Sequence, residues 1–143
     1  MSSDVFQVDA SELERELRRI GKRTEDFSPV TPVIADMLVA YVNDEFESAG
    51  RGRWAPLEPR TLKKRRGSTA QILKDTGRFA ASIRAEHGPD FAAAVTDVSY
   101  AVYHVSDAPR SVIPLRNPFD VGDVAEPEAL DMVARWCAGY DVA

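Results

Sequence analysis

The sequence predicts an α+β domain, with a small antiparallel sheet packed on a long central helix, flanking N- and C-terminal helices and an extended loop arm. Three observations carry this. Ile34, Met37, Leu38, Tyr41, Val42 and Phe46 recur at i, i+3, i+4, i+7 and i+8 spacing, the pattern of a helix that buries a broad apolar stripe. Ser82–His87 and Phe91–Thr96 alternate with period two on either side of Gly88-Pro89-Asp90, a turn signal, which is the signature of a β-hairpin. After Pro127, Leu130, Met132, Val133, Trp136 and Cys137 supply the apolar positions of a last helix, at about 127–138, that Gly139 ends.

In chain order, Val5-Phe6-Gln7-Val8 alternates briefly and predicts a short strand. Asp9 or Ser11 then opens a helix, Asp9 standing three residues before Glu12 as in a capping box. Leu13, Leu17 and Ile20 mark its apolar face, and Gly21 with the polar residues 22–26 loosens or ends it. Pro29 and Pro32 suit the first turn of the central helix, about residues 30–48, where proline loses no hydrogen bond.

An arm follows over about 50–71. It starts at Gly50-Arg51-Gly52-Arg53, and Pro56 and Pro59 hold residues 55–58 extended, since a residue before proline avoids the helical region. Thr61 caps a short helix ending near Gly67 in the hinge Gly67-Ser68-Thr69, and Asp75 or Thr76 caps another from Gly77 to Ile83. Beyond the hairpin, Ala101–Val105 reads as a strand or a single helical turn. Val112-Ile113-Pro114-Leu115 reads as an edge strand, because its proline removes a ladder donor, and Asn117–Ala125 reads as irregular.

At 143 residues the chain forms one domain, residues 1–143, long enough for a real core. The net charge of −5 argues against a general nucleic-acid binder, but it hides an asymmetry. Residues 51–66 carry seven Arg or Lys against Glu58, a net of +6, whereas residues 85–143 carry ten Asp or Glu against three Arg, a net of −7. A chain with one cationic segment and one anionic half is complementary to a copy of itself, a head-to-tail contact that closes into rings when the rotation permits. Chance clustering on a solvated surface is the plainer reading. The one cysteine, Cys137, excludes an internal disulfide and a cysteine metal cluster. The N-terminus lacks a basic region followed by an apolar run, so no secretory signal is expected. The most apolar stretch, Val33–Val42, is interrupted by Asp36, so no membrane contact is expected.

No catalytic constellation emerges. His87 and His104 lie 17 residues apart, outside metal-ligand spacing, and Cys137 falls on the apolar side of its helix. Ser82 lacks the context of a nucleophile elbow, and the glycines at 50 and 52 lead to no phosphate loop. Neither enzyme activity nor a cofactor is expected. The candidate partner-binding residues are those of the arm: Arg51, Arg53, Trp54, Leu57, Lys63, Lys64, Arg65 and Arg66. The run 63–66 either contacts phosphates or meets an acidic protein surface such as this chain's own anionic half. Trp54, beside Gly and Pro and outside any periodic stripe, is either a cap over its own core or an anchor in a partner.

An ordered set of pieces resembles the virion morphogenesis family of tailed bacteriophages, whose members complete the tail or form the neck. An amphipathic N-terminal region ending in Phe46 comes first, then Gly50…Trp54-Ala55-Pro56-Leu57. Ile72-Leu73-Lys74-Asp75-Thr76-Gly77-Arg78-Phe79…Ser82-Ile83 is similar to the family's Thr-Gly and Ser-Ile segment. Tyr100-Ala101…His104 and Ile113-Pro114…Arg116…Phe119 complete the set, which spans about residues 5–120. Where the family commonly carries a Gly soon after the His, this chain has Val105-Ser106-Asp107, and an acidic stretch, Asp120–Glu128, follows the Pro-x-Arg close. The resemblance implies a non-enzymatic virion protein of the neck or tail, assembled in the host cytoplasm. It implies a homo-oligomeric ring at the head–tail junction, often hexameric. The implied neighbours are the head connector or stopper and the tail terminator or tail tube, with genomic DNA passing through the channel. The alternative reading is a nucleic-acid-binding adaptor that uses the cationic segment 51–66.

Overall fold

The computed structural model describes residues 11–65, 71–74, 76–106 and 114–142. The strand expected at Val5–Val8, the cap at Asp9, the cation Arg66, the hinge 67–69, the cap at Asp75 and the start of the strand expected at Val112 lie outside them. The helices are α1 (Ser11–Glu25), α2 (Thr31–Glu47), α3 (Pro59–Lys63), α4 (Arg78–Ala81), α5 (Val102–Val105) and α6 (Gly122–Cys137), and the strands are β1 (Arg84–His87) and β2 (Ala92–Val95). The fold is α+β, as the sequence predicts.

The central helix falls where its stripe places it. Val42 and Phe46 are fully buried, Ile34 nearly so, and Met37, Leu38 and Tyr41 pack around the core they form. Pro32 sits in the first turn. The hairpin is antiparallel, with Arg84 opposite Val95 and His87 opposite Ala92, and Gly88 N–H closes the turn on Phe91 O at 2.9 Å. Both strands pack on α2. The alanines of β2 allow the close approach, and Thr31 Oγ1 fixes the turn to the start of α2 by donating to Gly88 O at 2.6 Å.

Three expectations need correction. Asn117–Ala125 is not wholly irregular, because α6 starts at Gly122, five residues before Pro127. Pro127 stands inside the helix and forfeits one backbone bond there, a cost borne because Val121 O accepts from both Val124 N–H and Ala125 N–H. Thr61 is not a cap: Pro59 takes the first helical position of α3, after Glu58. Ala101–Val105, open between strand and helix, is helical, and neither Pro114 nor Leu115 is in a strand. By contrast, α1 ends within the polar stretch 22–26 as expected, at Glu25 and past Gly21, and α6 clasps that end. Trp136 Nε1 donates to Arg23 O at 2.9 Å, Arg23 donates back to Trp136 O at 3.2 Å, and its guanidinium lies 4.0 Å from the Trp136 ring centroid. Leu13 and Leu17 stay exposed.

The core is a run of rings at the C-terminal end of α2. Phe46 meets Trp54 edge-on at 6.2 Å and Phe79 at 5.1 Å, and Phe79 meets Tyr100 and His104 at 6.0 Å each. The helix ends there in a Schellman-type turn, Gly50 N–H returning to Glu45 O at 2.8 Å. Ala49, Gly50, Arg51 and Gly52 all have positive φ, of 52°, 67°, 57° and 78°, so four residues in a row are left-handed. For a residue with a Cβ this costs about 1–2 kcal/mol. Ala49→Gly is therefore expected to raise unfolding free energy by about 0.5 kcal/mol in urea denaturation, net of the lost methyl contact and the added freedom of the unfolded chain.

Candidate functional site

The left-handed turn aims Arg51 and Arg53 back at the body, where they meet Glu45. This carboxylate stands three residues after Val42 on the buried face of α2, and the residue is 1% exposed. Arg51 Nε donates to Glu45 Oε1 at 2.7 Å, and Arg53 Nη2 to Oε2 at 2.9 Å. The rest of each guanidinium reaches the start of α6. Arg51 grips Asp123 with two bonds, at 2.7 and 2.9 Å, and Arg53 donates to Asp120 O at 3.1 Å. The cluster is a clasp of two cations and three carboxylates that pins the end of α2 to the start of α6. The Arg51 bonds hold the Asp123 carboxyl below the ordinary carboxylate range. Bonds to Asp123 first and Glu45 second raise the Arg51 guanidinium above its own. Asp123 also sits in the first turn of α6, where a negative charge suits the helix dipole.

Seven of the eight arm residues thus separate into three groups. Arg51, Arg53 and Trp54 belong to the subunit's own packing, with Trp54 9% exposed against Phe46, the cap reading of that residue. Gly50 is the seat of that ring, since a Cβ there would stand 2.3 Å from Trp54 Nε1. Leu57 and Arg65 are half-buried. Lys63 and Lys64 are exposed, with Arg60 and Leu62 beside them, and neither lysine forms an ion pair with a described residue. Arg66 lies outside the described residues.

Both feet of the arm stand on α2. The first is the clasp. The second is Glu47, which accepts from Gln71 Nε2 at 3.1 Å and from Lys74 Nζ, the latter drawing the carboxyl downward. A third tie was missed in the sequence as a site residue. Arg116, 8% exposed, donates to Ala55 O at 3.0 Å and Pro56 O at 3.1 Å, and so holds the extended segment. Burial, with Arg65 nearby, lowers its pKa. An open cleft of about 940 Å³ lies here, lined by Arg60, Lys64, Arg65, Arg78 and Arg116, with Glu58 as the acid. A second groove, about 560 Å³ and apolar, lies between the start of α2, the hairpin turn and α6.

Only one signal in the sequence could have exposed the clasp: Glu45 is a charge on the apolar stripe, seven residues after Leu38. Among the described residues no group of three or more His, Cys, Asp or Glu could hold a metal ion, and no helix is long and apolar enough to cross a membrane. His104 is stacked on Phe79 at an interplanar angle of 29°, a packing role.

No curated protein and no solved structure matches the chain. The sequence pattern of one family does, over residues 8–136, from before α1 to the last turn of α6 and thus past the Pro-x-Arg close where the ordered motifs stop. On that match across nearly the whole fold, the chain belongs to the phage virion morphogenesis family.

Proposed function

We propose that the chain is a structural, non-enzymatic protein of the phage neck. It forms a homo-oligomeric ring, six-fold in the favoured arrangement, at the head–tail junction. There it completes the tail or joins it to the head connector. The observation that carries this reading is the family membership over residues 8–136. The division of charge supports it: the exposed tip of the arm is cationic, and the exposed Glu126, Glu128 and Asp131 make α6 acidic. Its neighbours would be the connector or stopper on one side and the tail terminator or tube on the other, with DNA in the channel. The adaptor reading, duplex binding by 51–66, is the weaker one, since Arg51 and Arg53 are already neutralised by Glu45, Asp120 and Asp123.

The test is a phage carrying a stop codon in this reading frame. Electron micrographs of its lysate should show filled heads and separate tails, and supplying the chain in trans should rejoin them. Joined, infectious particles that lack the chain would overturn the proposal.

A further inference from the structure

The apolar groove and the arm tip have complementary surfaces. The groove floor is formed by Phe27, Val30, Ile34, Leu38, Phe91 and Val133, and its rim carries Asp90 and Glu126 with no cation among the lining residues. Phe91 is half exposed at its edge. The tip, α3, presents the reverse. Leu62 is 41% exposed, no residue of α3 is buried, and its neighbours along the chain include Arg60, which bonds Glu58, and Lys63 and Lys64, all exposed. An apolar anchor ringed by cations matches an apolar slot edged by acids, the arrangement of an interface centre inside a polar rim.

We propose that α3 of one subunit docks in this groove of the next, with Leu62 on the apolar floor and Arg60, Lys63 and Lys64 on Asp90 and Glu126. The contact joins two different patches, so it is head-to-tail and repeats until it closes. It deepens the ring reading above and rests on it, naming the surfaces by which the copies meet. The clasp and the Glu47 tie hold the two feet of the arm on α2, so α3 is offered from a fixed base.

The experiment uses the full chain in two charge-reversed forms. One carries Arg60→Glu, Lys63→Glu and Lys64→Glu, the other Asp90→Lys and Glu126→Lys. All five positions are exposed, and circular dichroism checks that both variants fold. Each variant alone should stay monomeric by light scattering. Mixed in equal amounts, they should assemble, because each reversed arm then faces an oppositely charged groove. Leu62→Ser should weaken self-association about thirty-fold, the loss of an anchor residue. In a Cys137→Ser background, Leu62→Cys with Ala129→Cys should form an intersubunit disulfide. Wild-type association that persists in both reversal variants, without that disulfide, overturns the contact and leaves the ring standing. A disulfide from Leu13→Cys in place of Leu62→Cys would assign the groove to α1 and overturn it equally. Wild-type protein that remains monomeric at crystallisation concentrations overturns self-docking and the ring as a property of the chain.

Discussion

Replacing Arg51 and Arg53 together with methionine is expected to cost the isolated subunit about 3 kcal/mol of unfolding free energy in urea at pH 7. Glu45 would then be a carboxylate with 1% exposure and neither of its cations. Removing one side of a buried pair is far more damaging than removing both, because the remaining charge stays dehydrated. The figure sits at the low end of the usual range because the two arginines are 33% and 44% exposed. The pH response should weaken as well. In the wild type Asp123 has a depressed pKa, so its contribution is fully present above the ordinary carboxylate range and is lost as pH falls below that range through the lower folded value. In the double variant that contribution is gone, so less stability should be lost on acidification through this window than in the wild type. A variant whose stability and pH slope match the wild type would show that the clasp is idle.

Trp54→Ala is expected to cost about 3–5 kcal/mol in the same measurement. The ring is packed edge-on to Phe46 and seated on Gly50, so truncation opens a cavity in the aromatic core. The result separates the two readings of this residue. A tryptophan that anchored only a partner would leave the free subunit's stability unchanged and weaken assembly alone. Light scattering on the same variant supplies the second readout.

The central helix was legible because six apolar residues kept one period through seventeen helical positions, and the hairpin because its turn chemistry interrupts a switch to period two. The start of α6 was not. Proline is commonest at the first helical position, so Pro127 drew the boundary to itself, and only Val121 O, accepting two bonds from the chain ahead, moves it back to Gly122. The arm was legible as a cationic loop, but its division was not. Arg51 and Arg53 look like Lys63 and Lys64 in sequence, yet of their carboxylates only Glu45 is near, while Asp123 and Asp120 stand 72 and 67 positions away, which local pattern cannot reach. Arg116 was noticed only as part of a motif, because a buried cation on two backbone carbonyls leaves no periodic trace.

The clasp also sets the topology of change. The arm leaves α2 at Arg53, held on Glu45, and is back on it at Gln71 and Lys74, both bonded to Glu47. Everything between, the arm tip included, is an excursion whose ends are already fixed. Each doubling of a flexible loop costs only about 0.6 kcal/mol in closure entropy. Lengthening or shortening the tip therefore leaves the pairing of α2 with α6 nearly untouched. A chain built this way can vary the length of its arm while the frame that carries it stays the same.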